Sequence, residues 1–264
     1  MKKYYFILAL LFTGMFVFSQ QLQFNHYSYS DVCEIITDNE GKIFTRPFYS
    51  DKTKEIFLKT DKNGFRKLEN DEYNLFIIDG MNIFISPEIE TFKLDQLEDA
   101  HLNGRAIQNI KASSTLKDKY HTYSAEGTLS AWYTGDCDSW GFVKDNIPWV
   151  EGKKDYGIGE YIEFDLNQDV YKRGDFNGWT ISILNGYVNP EKPHLFKENS
   201  RLKSATLIVD GKNEIKLKFN DYVEILNVQI PGEAKKIKLI IDDVYKGSKY
   251  KDTCITGISA SGYY

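Results

Sequence analysis

The chain is poor in the residues most often used for chemistry. Its 264 residues include three Cys, six Pro and four His. His26, His101, His121 and His194 lie far apart, with no metal-ligand spacing. No Gly-x-Ser-x-Gly elbow occurs, which removes the sequence mark of one large hydrolase class. Gly157 and Gly159 sit close together, but no helix pattern and no Lys-Ser/Thr pair follows. A phosphate-cradling loop is therefore excluded. Basic excess is also missing: 33 Lys and Arg face 38 Asp and Glu, for a net charge of −5. The basic residues are scattered among acids, so a nucleic-acid partner is not expected. Past residue 18 no apolar run is long enough to span a bilayer, and there is no repeat or low-complexity segment.

What is present begins with a leader. Lys2 and Lys3 precede the apolar run Tyr4 to Phe18, and Val17 and Ser19 suit the −3 and −1 positions of a cleavage site. Residues 1–19 read as a secretory signal peptide. A retained anchor is the alternative, but the run is short against the roughly 20 residues a spanning helix needs. The predicted destination is the periplasm, the cell surface or the extracellular space. An exported protein can keep a disulfide. Cys33, Cys137 and Cys254 allow three single pairings. Cys137 with Cys254 is preferred because both fall in the C-terminal module, which leaves Cys33 as a lone buried thiol.

The rest reads as all-β. The 18 Tyr and 17 Phe favour half-buried sheet surfaces, and packing accounts for most of them. From 20 to 90 the chain reads as a small antiparallel β meander: Val32 to Thr37, Lys42 to Arg46, Glu55 to Lys59, Tyr73 to Ile78 and Met81 to Ser86. Asp38-Asn-Glu-Gly41, Asp61-Lys-Asn-Gly64 and Asp79-Gly80 supply the turns. Asp-Gly between two apolar runs predicts a two-residue hairpin, since both turn positions want positive φ. Residues 91–108 lose the alternation and read as a connector, with one short helix over Asp95 to Leu102.

From 109 to 264 the alternation returns. Predicted strands are Ile110 to Ser114, Gly159 to Leu166, Trp179 to Leu184, Ala205 to Val209, Ile215 to Phe219, Val223 to Ile230, Ile237 to Val244 and Cys254 to Ala260. Asp210-Gly-Lys-Asn213 and Pro231-Gly232 turn between them. About eight short strands at regular spacing suit an antiparallel β-sandwich or jelly roll.

Between these strands lie loops carrying Ala112-Ser-Ser-Thr-Leu116, Tyr123-Ser-Ala125, Trp149-Val-Glu-Gly152, Gly157-Ile-Gly-Glu160, Asn185-Gly-Tyr187, Asn199-Ser-Arg201, Tyr245-Lys-Gly247 and Tyr250 to Ile255. In that order they resemble the discoidin-like, galactose-binding-like glycan-binding domain of the translocation region of secreted bacterial NAD glycohydrolases. The likeness covers residues 110 to 264. It implies a discoidin-like jelly-roll sandwich, preceded by the small N-terminal β module, and binding rather than catalysis. The catalytic domain of those enzymes has no counterpart in residues 20–90. Many discoidin-like domains hold a structural calcium through an Asp. Here Asp145-Asn-Ile-Pro-Trp149 departs from the usual run, and the loop from Thr128 to Pro148 is longer. Asp145 is the candidate ligand, although calcium wants six to eight oxygens. No other cofactor is implied.

The candidate ligand-binding residues are Trp149, Glu151, Tyr187, Asn199, Arg201 and Asp252. Trp149 either stacks on a ligand or plugs the sandwich. Tyr187, after Asn-Gly, should lie in a turn and stack. Asn185 and Asn199 either donate to sugar hydroxyls or cap turns. Arg201 either clamps a ligand through its planar fork or pairs with Glu160 or Asp252. Glu151 and Glu160 are either an acid–base pair or loop braces. The expected function is non-catalytic recognition of a glycan or another cell-surface ligand. The rivals are a secreted hydrolase with its site at the domain junction, and an envelope or adhesion protein that binds other proteins. Oligomeric state is left open.

Overall fold

The computed structural model describes residues 27–30, 33–37, 43–47, 54–56, 58–68, 76–78, 83–85, 106–134, 140–142, 146–170, 176–189 and 191–263. The expected leader, the 91–105 part of the connector with its helix, Cys137 and Asp145 lie outside these residues. The chain divides into two compact units, 1–53 and 54–264. The first carries β1 (Tyr27–Ser30), β2 (Cys33–Thr37) and β3 (Ile43–Pro47), paired antiparallel in chain order.

The second unit opens with β4 (Lys54–Ile56) and a meander of β5 (Leu58–Thr60), β6 (Arg66–Leu68), β7 (Phe76–Ile78) and β8 (Ile83–Ile85). Ile78 pairs with Ile83, and residues 79–82, with the expected Asp79-Gly80 turn, lie outside the described residues. The expected two-residue Asp79-Gly80 hairpin would have paired Ile78 with Met81; the observed ladder starts two residues later on the return strand.

The sandwich follows. β9 (Ile107–Ala112), β10 (Trp132–Thr134), β11 (Trp140–Phe142), β12 (Trp149–Val150), β13 (Tyr161–Leu166) and β14 (Gly178–Asn185) precede α1 (Leu195–Glu198). Then come β15 (Arg201–Val209), β16 (Asn213–Lys218), β17 (Ile225–Pro231), β18 (Lys236–Tyr245) and β19 (Cys254–Tyr263). One sheet runs β12-β19-β14-β17 and the other β16-β15-β18-β13-β9. Every pairing in both is antiparallel. The long loop expected between Thr128 and Pro148 carries the β10–β11 ribbon, and Ala125–Ser130 forms a 3-10 helix.

Alternation places the core. Ile162, Phe164 and Leu166 of β13 point inward, while Tyr161, Glu163 and Asp165 stay partly exposed. Ala205, Leu207 and Val209 of β15 meet Ile181 and Ile183 of β14 in one apolar cluster shared by both sheets. Such burial is worth about 25 cal/mol per Å² of apolar surface. The β15–β16 hairpin turns on Asp210 and Gly211, at φ 52° and 70°, as a I′-type turn requires. Asp210 then accepts the backbone N–H groups of Lys235 and Lys236, which ties the turn to the start of β18.

One end of the sandwich is closed by Phe196 of α1, with no exposed surface. Gly64 and Gly186 flank its ring, with φ 87° and 80°. A Cβ would come within 2.7 Å of the ring at Gly64 and within 2.6 Å at Gly186. Only glycine permits both the backbone angle and the approach. Gly64 belongs to the β5–β6 turn. There Asp61 accepts the N–H groups of Asn63 and Phe65, the carbonyl of Gly64 accepts from Val223, and Phe65 packs edge-on to Phe196 at 6.3 Å. The β5–β6 hairpin is thus part of the fold of the sandwich. Phe65→Ala in the full chain is expected to cost about 3 kcal/mol, the usual scale for a buried Phe truncation, read as a lower urea midpoint. A loss below about 1 kcal/mol would show that the turn contributes little to that end.

Candidate functional site

Four chain segments meet at the end of the sandwich where β12, β14 and β19 begin or finish. Each is held by hydrogen bonds to a side chain of its own or of a neighbouring segment. In 116–123, Asp118 Oδ1 accepts the N–H groups of Tyr120 (2.6 Å) and His121 (2.7 Å), and Oδ2 accepts the Tyr123 hydroxyl (3.0 Å). This small hairpin is stitched to β12, because Leu116 donates to Val150 and Val150 donates to Tyr123. The second segment follows β14. Its Gly186 carbonyl accepts the Thr256 hydroxyl at 2.6 Å, and Val188 donates to the same hydroxyl at 2.8 Å. Tyr187 is therefore clamped between two residues that share one buried partner.

The third and fourth segments, Asn199–Arg201 and 246–253, are joined through Ser200, which has no exposed surface. Its N–H donates to the Asp252 carbonyl and its own carbonyl accepts from Cys254. Its hydroxyl accepts from the Gly247 N–H at 3.0 Å and lies 3.3 Å from the Tyr250 carbonyl. Tyr250 and Asp252 are positioned by this one residue, Tyr250 through the Ser200 hydroxyl and Asp252 through the Ser200 backbone N–H. Between the segments lies a hollow of about 360 Å³, lined by Asp118, Tyr123, Tyr187, Asn199, Tyr250 and Asp252, with Lys192, Leu116, Leu195 and Val150.

Of the residues expected from sequence, Tyr187, Asn199 and Asp252 line this hollow together. Trp149 does not. Its side chain has no exposed surface, lies in the apolar cluster and donates its indole N–H to the Ser114 carbonyl at 2.9 Å. Of its two readings the plug is the one observed, since a sealed ring has no face to offer a ligand. Arg201 is 4% exposed. Its Nε–H donates to Asp221 at 2.7 Å, and Nη2 pairs with the same carboxylate. Nη1 donates to the Asn199 carbonyl, and the guanidinium lies over Phe196 and Tyr245. It braces the fold through Asp221, not through Glu160 or Asp252. Asn185, fully buried, clamps the backbone of Leu202 with both ends of its amide. Glu160 accepts from Ser113 at 2.6 Å and faces Lys153 at 3.7 Å.

The expected Cys137–Cys254 pairing is not formed. Cys254 is a free, buried thiol at the start of β19, and burial raises its pKa well above the ordinary value. The expected calcium ligand Asp145 lies outside the described residues. Among the described residues no group of His, Cys, Asp and Glu could hold a metal.

The sequence reading did not single out Asp118, Tyr123, Lys192 or Tyr250 as ligand contacts. Tyr123 and Tyr250 stood in recognised segments, but only the hydrogen bonds through Ser200 and Val150 bring them to one hollow. Asp118 is legible in retrospect as the start of an Asp-led turn.

The carboxylates differ in environment. Asp118 is held below the usual range by the N–H groups of Tyr120 and His121. Burial raises Asp252. Burial also raises Tyr187, and it raises Tyr123 ahead of the bond to Asp118. Glu151, with no exposed surface, lies against the Cα of Gly157 and accepts the N–H of Lys153. Burial is the main cause that lifts its pKa from 4.5 to about 7, with Asp252 and Asp155 adding. A folded-state pKa above the unfolded one means that this carboxyl stabilises the fold in its neutral form. That contribution is complete below about pH 4.5 and is lost as pH rises through about 7. Wild-type protein should therefore lose on the order of 3 kcal/mol relative to Glu151→Gln between about pH 4.5 and 8, measured as thermal midpoints of the two proteins across that range. Parallel midpoint curves would remove this assignment.

The family model of the NAD glycohydrolase translocation F5/8 type C domain matches residues 102–261. Among solved structures, the cryo-EM structure of the arabinofuranosyltransferase AftD from Mycobacteria is similar at 18% identity and a TM-score of 0.37, over 59% of this chain and 10% of that one. A mutant form of the same enzyme gives 15% identity and a TM-score of 0.39, over 59% and 11%. The chain thus spans about a tenth of the length of those enzymes. No curated protein matches it. The residues matched and the two-sheet antiparallel architecture agree with the resemblance carried by the loop segments, and the chain belongs to the NAD glycohydrolase translocation F5/8 type C domain family, a discoidin-like family.

Proposed function

We propose that this is an exported, non-catalytic recognition protein that binds a carbohydrate, or another ligand displayed on a cell surface, in the hollow at the loop end of its sandwich. The observation that carries the reading is the gathering of Tyr123, Tyr187 and Tyr250 around one cavity with Asp252 and Asn199. Ring faces suit the apolar C–H face of a sugar, and carboxylate and amide oxygens accept from its hydroxyls. Tyr250 is 40% exposed, so part of its ring is open to solvent.

Membership of a binding and translocation family favours this reading over the hydrolase alternative. The state of the carboxylates favours it too. Asp118 is committed to its own hairpin through three accepted hydrogen bonds. Glu151 is sealed beneath the loops, and Glu160 is engaged by Ser113 and Lys153. A site of this kind recognises its ligand shallowly, and several copies acting together raise the avidity.

The test is a glycan array with the full chain and its Tyr187→Ala and Tyr250→Ala variants. Each variant is expected to lose roughly tenfold in affinity for whatever glycan the wild type retains, as a lost aromatic platform would. Glu214→Gln, an exposed change on β16, should leave binding intact. An array with no bound glycan, or binding indifferent to both tyrosines, rejects the reading.

A further inference from the structure

The hollow has an unbalanced polar inventory. Among its lining residues, Asp118 and Asp252 carry negative charge and Lys192 alone carries positive charge. The two carboxylates are not equivalent. Asp118 already accepts from Tyr120, His121 and Tyr123. Asp252 makes no ion pair with any described residue, although its own loop carries Lys249 and Lys251. Lys249 instead faces Glu198 at 3.5 Å and Tyr250, and Lys251 lies over the ring of Tyr156 at 5.8 Å. The Asp252 backbone carbonyl is used by Ser200, which fixes the residue at the cavity wall, and its carboxylate accepts from its own backbone N–H. Nearby, Asn199 spends its Nδ2–H on the Leu195 carbonyl, which leaves its Oδ1 as the acceptor of that side chain. The Tyr187 hydroxyl makes no hydrogen bond to any described residue. Beside Lys192, the cavity therefore offers acceptors, one carboxylate that forms no ion pair with a described residue, and aromatic faces, the combination that suits a donor-rich cation.

We infer that the hollow selects an amino sugar, with Asp252 as the counter-charge of its protonated primary amine. This rests on the carbohydrate reading proposed above and narrows it. The amine sits at Asp252, sugar hydroxyls donate to Asn199 Oδ1, and the ring lies against the tyrosines. Partial burial of Asp252 works in the same direction: its charged form is raised in energy in the empty cavity, as its upward pKa shift reflects. An ammonium relieves that cost, whereas a neutral acetamido group does not. Asp252 is then a specificity-determining residue and Tyr187 the platform common to all ligands.

The test compares the full chain with two probes, a trimer of glucosamine and the same trimer fully N-acetylated, by calorimetry at neutral pH and about 0.15 M salt, which screens non-specific attraction of a polyamine to an acidic protein. Wild type is expected to bind the amine form at least tenfold more tightly. Asp252→Asn should remove that preference by bringing the affinity for the glucosamine trimer down to that for the N-acetylated trimer. Glu214→Gln should retain the preference, which separates a local counter-charge from general acidity. Equal affinity for the two trimers overturns the inference, and so does a preference that survives Asp252→Asn or disappears equally in Glu214→Gln. Failure of the broader reading looks different: no glycan of any class is bound on the array. Neutral glycans bound there in a Tyr187-dependent way, with no preference for the amine, would leave carbohydrate recognition standing and remove the amino sugar alone.

Discussion

Insertion of the last strand between two others organises the whole loop end. β19 pairs with β12 on one side and β14 on the other, so Ile255 faces both Trp149 and Asn185. Three segments distant in sequence are thereby brought within one strand spacing of each other. Just before this strand, Ser200 and Glu151 take up backbone groups of Tyr250, Asp252 and Thr253. The cavity follows from that pairing. Without β19 in register, Asp252 would have no reason to lie near Tyr187 or Val150.

Rigidity beneath the cavity comes from polar residues that are fully buried and fully engaged. Asn185 holds Leu202, Thr256 holds Gly186 and Val188, and Ser200 holds the 246–253 loop. A buried polar group must be paired or it costs free energy, so each of these residues has essentially one tolerated arrangement. The consequence is a cavity whose rim loops are held in place by the fold itself. Phe196 and Arg201 do the same beside the cavity, where Gly64 from the N-terminal meander and Gly186 from the sandwich admit one ring between them. The residues matched by the family model therefore do not make up the whole packing unit, because the β5–β6 turn completes that end.

Much of the sandwich was legible in the chain. The alternation in Tyr161 to Leu166, and that of Ala205, Leu207 and Val209, states which side chains enter the core, because side chains on a strand point to opposite faces in turn. Asp210-Gly211 announces its hairpin through the positive φ that both positions adopt. Residues 79 and 80 carry the same dipeptide, yet the β7–β8 ladder pairs Ile78 with Ile83, so the local signal did not set that register. For single functional residues the local signal was weaker still. Trp149 and Arg201 looked like ligand contacts because Trp and Arg in loops often are. Their burial depends on Ser114 and Asp221, partners 35 and 20 residues away.

By itself the sequence determined the all-β class, the positions of the eight longer strands of the C-terminal half but not of the short β10, β11 and β12, the family, and three residues of the cavity: Tyr187, Asn199 and Asp252. These follow from periodicity, turn chemistry and ordered short segments, all of which are local properties. Only the tertiary structure decided which loops converge, that Trp149 and Arg201 turn inward, and that Asp118, Tyr123 and Tyr250 join the cavity rim. Those outcomes depend on strand pairing and on where each buried polar group finds its partner, and both are contacts between residues far apart along the chain.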